Sequence, residues 1–335
     1  MPPNESETGG SPARKSDHLR IAAGRGVEHD AGTGLEDVRL RHRALPERDL
    51  ASIDLSCELL GRRLAAPLLV SAMTGGTREA GVINERLASA AAEHGVGMVL
   101  GSGRALLEDP GLRGTYSLGP RPPLLLANLG AVQLSPERAQ RVIELLDADG
   151  LSVHLNPLQE AIQPEGQPQF TGVLRRIEAT VKRLAPLPVT VKEVGFGLDP
   201  EDIRRLHHAG VAAIDLAGAG GTNWALIEGI RDKRGPALAQ AFSDWGVPTV
   251  TALREARRAV PGATLIASGG LRDGVELAKC LALGADAGAI ARPFLLGAEA
   301  DRATQSLGVV IGQLRIAAWL AGSSSAGALA EEHLQ

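Results

Sequence analysis

The residues best suited to chemistry lie where short apolar runs of the sequence end. His154, Asn156, Gln159 and Glu160 fall within one such segment, HLNPLQE. Residues two apart on a strand face the same side, so His154 and Asn156 would point together. Glu160 is a candidate Mg²⁺ ligand, because proteins usually hold Mg²⁺ with one or two carboxylates, phosphate oxygens and waters. The alternative is a hydrogen-bonded core histidine and a helix that begins near Glu160.

A lysine inside an apolar run is the second candidate. Lys192 lies within VTVKEVG, and a buried ammonium group must find an anion or lose its charge. A flavin ring would provide that partner, because its N1/C2=O edge becomes anionic on reduction. An ion pair with Glu193 or with another carboxylate at a strand end is the open alternative.

Two glycine-containing segments late in the chain are typical of phosphate binding. SGGLRDG (268–274) and GAIARPF (288–294) follow consecutive apolar runs. At the seventh and eighth strands of a (β/α)₈ barrel, glycine amides and a helix N-terminus form the usual phosphate cradle. Arg272 and Arg292 add positive charge. Each glycine pair alone also suits a tight turn, and the occurrence of both favours the phosphate site.

Further polar groups follow other apolar runs. SAMTGG (71–76) offers a hydroxyl and open backbone as a wall for a flat ring, and Asn128 and Thr222 add hydrogen-bonding groups. The run from Gly101 to Arg104, with the early pair Arg14 and Lys15, would complete an anion clamp. Taken alone, Arg14 and Lys15 look like ordinary solvated charges.

Composition excludes several classes of protein. The chain has 335 residues, 44% of them apolar, which is enough for one large buried core. A net charge of −4 spread along the chain lacks the basic patch of a nucleic-acid binder. We expect no membrane span and no secretion signal. The two cysteines, Cys57 and Cys280, have no zinc or disulfide pattern, which favours the cytosol.

Eight short apolar runs predict the elements that hold these residues. Each run ends in a small or polar residue and is followed by a helical pattern. The runs are 68–73, 96–101, 124–129, 151–156, 189–194, 212–217, 264–269 and 287–292. They are nearly continuously apolar, as parallel strands covered on both faces are. Eight such units predict a closed (β/α)₈ TIM barrel with its active site at the C-terminal strand ends.

Three segments lie outside this regular pattern. Residues 1–13 are small, polar and rich in Pro and Gly, which predicts a disordered lead-in to a single barrel domain over 14–335. Residues 220–262 predict an insertion between the sixth and seventh strands, over the barrel mouth. Within it, VPTVTAL (247–253) predicts the start of a helix with Thr249 or Thr251 as N-cap.

Nine motifs occur in chain order: RKSDHLRIA, SAMTGG, GSGRALL, ANLGA, HLNPLQE, VKEVGFG, DLAGAGGTNW, WGVPT and SGGLRDG. Together they resemble the type 2 isopentenyl diphosphate isomerases. The resemblance runs from about residue 14 to about residue 320, and HLNPLQE and AGAGGTNW are its most specific segments.

This resemblance implies an enzyme that isomerises isopentenyl diphosphate to dimethylallyl diphosphate in isoprenoid precursor biosynthesis. Reduced FMN would act as acid/base and cation stabiliser without net redox change. NADPH would only reduce the flavin at the outset, although the sequence does not distinguish NADPH from NADH. Mg²⁺ would bind at Glu160, and the chain would form a symmetric homo-oligomer, a tetramer or octamer.

The resemblance also assigns residues to each ligand. Those implied to contact FMN are Ser71, Ala72, Met73, Thr74, Ser102, Asn128, Lys192, Thr222, Gly269, Gly270, Arg272, Ala291 and Arg292. Those implied to bind the substrate are Arg14, Lys15, Ser102, Arg104, His154, Asn156 and Gln159. Two positions depart from the family pattern. Gly103 replaces a usual Gln, which would loosen the substrate pocket, and Ala217 replaces a Ser that often contacts the flavin.

The implied reaction adds a proton at C4 of the substrate and removes one from C2, with cationic character at C3. Such a reaction needs an acid, a base and an electron-rich surface. The chain has only eight aromatic residues, so the flavin would supply that surface. Our hypothesis is that Gln159 positions the C2 proton for removal, because His154 is the only ionisable base nearby in sequence.

Two other functions remain in competition. A 2-hydroxyacid oxidase has the same type of FMN barrel, but it carries a His and an Arg just after the sixth strand. Here that position reads Ala219-Gly220-Gly221-Thr222. The second alternative is a catalytically silent barrel that binds a phosphate ligand. The HLNPLQE segment argues against it, because a pure binder has no use for a metal carboxylate beside an amide.

Overall fold

The computed structural model describes residues 11–116, 119–232 and 236–335. The predicted lead-in, residues 1–13, lies mostly outside this part of the chain, so its disorder stays a prediction. The first described element is helix α1 (Ser11–Ala23), which begins ahead of the predicted domain boundary. An antiparallel hairpin of β1 (Cys57–Leu59) and β2 (Arg62–Leu64) follows.

The centre of the fold is a closed barrel of eight parallel strands, as the sequence predicts. Its strands are β3 (Leu68–Val70), β4 (Gly97–Val99), β5 (Leu125–Gly130), β6 (Gly150–His154), β7 (Val189–Lys192), β8 (Ala213–Asp215), β9 (Leu265–Ala267) and β10 (Ala287–Ile290). Each strand pairs with the next along the chain, and β10 closes the barrel on β3. Each of the eight apolar runs coincides with one of these strands, although β5 ends and β6 begins one residue outside its run.

Helices surround the barrel and cover part of its mouth. They are α2 (Arg78–Glu93), α3 (Arg104–Glu108), α4 (Pro136–Leu146), α5 (Pro157–Ile162), α6 (Val173–Leu184), α7 (Pro200–His208), α8 (Trp224–Arg231), α9 (Pro236–Gln240), α10 (Thr249–Ala259), α11 (Gly274–Ala282), α12 (Arg292–Glu299) and α13 (Ala303–Ala321). In the described ranges, no helix combines the length and the apolar character that a membrane crossing requires.

The pleat of each strand separates the outer core from the barrel interior. Val189 and Val191 of β7 belong to the large core between strands and helices, whereas Lys192 lines an interior cavity. Alternating residues of a strand face opposite sides, which is why one short strand serves both surfaces. The hairpin closes the N-terminal end, because its Leu59 and Leu64 pack in one buried cluster with barrel-strand residues.

The predicted insertion is present and contributes to the barrel mouth. It contains α8, α9 and α10, and Trp224 at the start of α8 lines the interior cavity. The prediction of Thr249 or Thr251 as N-cap is wrong, because α10 already begins at Thr249, after Pro248. The Thr249 hydroxyl instead donates to the Gly269 carbonyl oxygen at 2.6 Å, which ties the insertion to the loop after β9.

Candidate active site

One cavity of about 470 Å³ occupies the C-terminal end of the barrel, beneath α1 and α8. Every residue predicted to bind FMN, substrate or metal lines it. These residues are Arg14, Lys15, Ser71, Ala72, Met73, Thr74, Ser102, Arg104, Asn128, His154, Asn156, Gln159, Glu160, Lys192, Thr222, Gly269, Gly270, Arg272, Ala291 and Arg292.

The loop after β9 gives the cavity a wall of bare backbone. Gly269 and Gly270 have φ angles of +93° and +76°, in the region that favours glycine. A Cβ at Gly269 would lie 2.0 Å from the Gly218 carbonyl oxygen, so no larger residue fits. From the next strand, Ala291 is the N-cap of α12, whose N-terminus opens at the same wall. Glycine amides beside a helix N-terminus suit a phosphate.

The two arginines predicted to add charge at this wall already have protein partners. Arg292 donates to the Ala22 carbonyl oxygen at 2.9 Å and pairs with Glu28 at 2.8 Å, which anchors the last turn of α1 and the segment after it. Arg272 pairs with Glu276 at 3.1 Å, and its side chain is 58% exposed. Both side chains reach the cavity, and Arg292 also holds its N-terminal cover in place.

Lys192 is a buried cation without a carboxylate in contact. Its Nζ donates to the Glu193 carbonyl oxygen, and no described carboxylate oxygen lies within 4.0 Å of it. The alternative of an ion pair with Glu193 is therefore wrong. The Glu193 carboxylate instead accepts from the backbone N–H groups of Val194 and Gly195, at 2.6 and 2.7 Å. The buried carboxylates of Glu193 and Asp215 attract Lys192 from beyond ion-pair distance, which leaves its ammonium group able to contact an anionic ligand in the cavity.

His154 is held as a neutral ring beside the cavity. Its Nδ1 lies 2.6 Å from Asn128 Oδ1, and we assign the proton to Nδ1 because that amide oxygen only accepts. Burial, with the charges of Lys192 and Lys15, lowers the pKa of His154 from 6.5 to about 3. Because the ring lines the cavity, a purely core role does not describe it.

We expect this low pKa to make stability depend on pH. Below pH 6.5 the unfolded chain binds a proton at His154 that the folded protein does not take up until about pH 3, so stability falls across that window. Between pH 7 and pH 5 this loss is about 2 kcal/mol. Urea unfolding of the wild type and of His154→Gln at pH 7 and at pH 5 measures this loss. From pH 7 to pH 5, the free energy of unfolding of the variant should fall by about 2 kcal/mol less than that of the wild type. Equal decreases in the two proteins would contradict the low pKa of His154.

A chain of amide and carboxylate contacts fixes Gln159. The Asn156 Nδ2 donates to Gln159 Oε1 at 3.0 Å and to Glu160 Oε1 at 3.2 Å. Gln159 Nε2 then donates to Glu228 Oε1 at 2.7 Å. Both Asn156 and Gln159 are buried, so the carboxamide of Gln159 has one defined orientation at the cavity surface.

Glu228 is one of the site residues that the sequence analysis missed. It is fully buried in α8, and His18 Nε2 of α1 and Arg231 Nε lie 2.9 and 3.1 Å from its carboxylate. Burial acts to raise the pKa of Glu228, but contacts with His18, Gln159 and Arg231 outweigh it and lower the pKa overall. It therefore remains a carboxylate. A glutamate in an amphipathic helix far from HLNPLQE gives no sequence signal for this role.

Hydrogen bonds hold Glu160, the predicted metal ligand, in a fixed orientation. Glu160 Oε2 accepts from Gln163 Nε2 and from the Gln167 backbone N–H, both at 2.7 Å. The part of the chain that the structure describes contains no cluster of three or more metal-ligating side chains. A Mg²⁺ ion at Glu160 would thus depend on oxygens from the substrate and water.

Helix α1 brings basic residues to the cavity mouth. Lys15 Nζ donates to the Ser102 carbonyl oxygen at 3.2 Å and to the Tyr116 hydroxyl at 3.0 Å. Burial and the neighbouring charge of Arg14 lower the pKa of Lys15 to about 7. The alternative of an ordinary solvated charge is therefore wrong for Lys15. The buried Tyr116, another residue missed from sequence, holds both Lys15 and Ser102.

The two departures from the family pattern have different surroundings. Gly103 does not line the cavity, and a Cβ there would lie 2.3 Å from Val142 Cγ2 of α4. A side chain at this position would start toward α4, and the expectation that Gly103 loosens the substrate pocket stays a prediction. Ala217 does line the cavity, with a φ of +40°.

Comparison with known proteins adds independent observations. The family model described as FMN-dependent dehydrogenase matches residues 11–109 and 137–335. An isopentenyl-diphosphate delta-isomerase of Stutzerimonas stutzeri is 47% identical, over 96% of this chain and 96% of that protein. One of Nostoc sp. is 45% identical, over 92% of this chain and 91% of its own length.

Solved structures with the same fold include mandelate oxidases. A variant of that enzyme with 4-Br-2-hydroxy-methylphenylacetate superposes with a TM-score of 0.68 over 97% of this chain and 98% of that one. Mandelate oxidase with (S)-2-phenylpropionate gives 0.66 over 96% and 97%. Sequence identities of 23% and 22% make this a likeness of fold.

Proposed function

Because the chain belongs to the isopentenyl-diphosphate delta-isomerases of the FMN-dependent dehydrogenase family, we propose that it converts isopentenyl diphosphate to dimethylallyl diphosphate with reduced FMN. One structural observation supports the proposal in addition to family membership. A single cavity joins a backbone phosphate cradle, a buried lysine without a carboxylate in contact, and an amide held by a carboxylate.

The residues of the cavity fit FMN. Its phosphate suits the amides of Gly269 and Gly270 and the N-terminus of α12. The buried Asn128 Nδ2 has no partner among the described residues, as expected of a group that a ligand satisfies. Lys192 supplies the cation for an anionic ring edge. Bound and reduced, FMN supplies an acid/base group and an electron-rich surface. Among the described residues that line the cavity, Trp224 is the only Phe, Tyr or Trp.

The opposite end of the cavity fits the diphosphate. Arg14, Lys15 and Arg104 supply positive charge there, and Ser102, His154 and Asn156 supply polar groups. Glu160 would hold Mg²⁺ against the diphosphate oxygens. Helix α1 covers this end and keeps water from a cationic intermediate, because Lys15 ties it to the loop after β4 and His18 ties it to Glu228 of α8.

In the proposed reaction, C4 of the substrate gains a proton and C2 loses one, so no electrons are transferred overall. Gln159 holds the C2 hydrogen in place for removal. Glu228 orients Gln159 from behind, through the 2.7 Å hydrogen bond, and stays ionised to do so. NADPH serves only to reduce the flavin before the first turnover. The predicted cytosolic location and the tetramer or octamer remain proposals.

The loop after β8 argues against the oxidase alternative. A 2-hydroxyacid oxidase needs a His and an Arg there, whereas this loop presents Ala219, Gly220, Gly221 and Thr222. A catalytically silent barrel that only binds a phosphate ligand would have no use for the buried pair of Gln159 and Glu228.

An anaerobic assay tests the proposal. Purified protein with FMN, Mg²⁺ and isopentenyl diphosphate is assayed for dimethylallyl diphosphate, with NADPH and without it. We expect product only where the flavin is reduced. Bound FMN without product under either condition would contradict the proposed function. In a separate sample with oxidised FMN, reduction of the flavin by lactate or glycolate would favour the oxidase.

A further inference from the structure

We propose that Gln133 is a further substrate-binding residue, whose carboxamide N–H donates to the diphosphate beside His154. The inference rests on the proposed function, because it takes the diphosphate to lie at this end of the cavity. Gln133 belongs to none of the residues that the family resemblance assigns to a ligand.

The structure brings Gln133 to the cavity by a short turn. Gln133 ends a one-turn 3₁₀ helix (Ala131–Gln133) that follows β5 directly, and its side chain lines the cavity. Gly130 of β5 pairs in register with His154 of β6. A Cβ at Gly130 would lie 2.3 Å from Gln133 Oε1 and 3.0 Å from His154 Nε2. The carboxamide and the imidazole therefore both lie beside Gly130, whose missing side chain leaves them room.

The donor of Gln133 is unused. Its Nε2 is buried and has no hydrogen-bond partner among the described residues. A buried donor without a partner is unfavourable, and native proteins rarely keep one without a ligand or a water to satisfy it. A group that accepts hydrogen bonds must therefore lie beside Gln133 in the working protein.

The surroundings favour an anion as that acceptor. Lys15 and Lys192 both act on His154 electrostatically, so this part of the cavity has a positive potential. His154 uses its N–H to reach Asn128, and a neutral ring that donates from Nδ1 has no proton on Nε2. An N–H donor to an oxyanion at this point must come from a neighbouring side chain, and Gln133 provides one.

Two variants of Gln133 separate binding from packing. Gln133→Leu keeps the approximate size but removes the donor, and Gln133→Glu replaces the donor with a negative charge. For each FMN-loaded protein, calorimetry measures the Kd of inorganic diphosphate with Mg²⁺, and kinetics measure KM and kcat for isopentenyl diphosphate. The matched control is Gln305→Leu, at an exposed glutamine of α13.

We expect Gln133→Leu to raise both the Kd and the KM about 10-fold or more, since a hydrogen bond to a charged group is lost. Gln133→Glu should raise them further. kcat should stay within about 3-fold, and FMN affinity and the Gln305→Leu control should not change.

Unchanged diphosphate affinity in both variants would overturn the inference, whatever the isomerase assay shows. Loss of FMN together with diphosphate would also overturn it, because it would indicate a structural role. If the wild type binds diphosphate through Gln133 but forms no product, the binding role stands and the isomerase function fails. If the wild type does not bind diphosphate, both fail.

Discussion

Replacing Gln159 by alanine is expected to lower kcat by about 100-fold or more while FMN stays bound, because misplacing a reacting group by about 1 Å costs roughly that much. Gln159 is fixed between Asn156 and Glu228 on α5, so its loss removes the group that we propose holds the C2 hydrogen. Lys192 and the loop after β9, which we assign to FMN, keep their contacts. Anaerobic steady-state kinetics and an FMN titration measure the two effects.

The matched control for this change is Gln169→Ala, an exposed glutamine between α5 and α6. It should change neither kcat nor FMN affinity. An unchanged kcat in Gln159→Ala would exclude Gln159 from catalysis. A large rise in KM with kcat preserved would instead assign it to substrate binding alone.

The Lys192→Met change is expected to weaken FMN binding about 10- to 100-fold without loss of stability in the protein free of FMN. A charge-assisted hydrogen bond to the ligand is worth roughly 1.5–3 kcal/mol. In the FMN-free protein, relief of the cost of burying the ammonium group offsets the loss of its hydrogen bond to the Glu193 carbonyl oxygen and of its attraction to the Glu193 and Asp215 carboxylates, so the net change in stability is small. Fluorescence titration with FMN and urea unfolding without it measure these effects.

Lys279→Met is the control, because the Lys279 Nζ donates to the Leu35 carbonyl oxygen at 2.7 Å, remote from the residues that line the cavity. This variant should lose about 1 kcal/mol of stability and keep its FMN affinity. The opposite pattern for Lys192, a less stable protein with normal FMN binding, would assign that lysine a structural role.

The barrel strands were predictable because each carries a strong local signal. A run such as VTVK is too short for a helix and too apolar for a surface strand, and a helical pattern follows it. The hairpin of β1 and β2 was not predicted, because Arg62 and Arg63 lie between its buried leucines and interrupt the apolar pattern. The start of α10 was misplaced because Thr249 bonds to Gly269 across the fold, a contact that local sequence does not reveal.

The same distinction, between local sequence signals and contacts across the fold, explains which residues of the candidate site were found from the sequence. His154 and Lys192 were found because a polar residue inside an apolar run is conspicuous. Glu228, Tyr116 and Gln133 were missed, because what distinguishes them is burial and a partner or neighbour far along the chain. Glu228 contacts Gln159 across 69 residues of sequence, and Tyr116 contacts Ser102 across 14. Only the folded barrel brings such pairs together.

The most direct test of the central claim is the number of dimethylallyl diphosphate molecules formed for each NADPH consumed. In an anaerobic reaction with FMN and Mg²⁺, NADPH and product are counted together over many turnovers. If the flavin works without net redox change, NADPH consumption stops once the bound FMN is reduced, and product continues to form in large excess. Consumption of one NADPH for each product, or no product from reduced protein, would contradict the account.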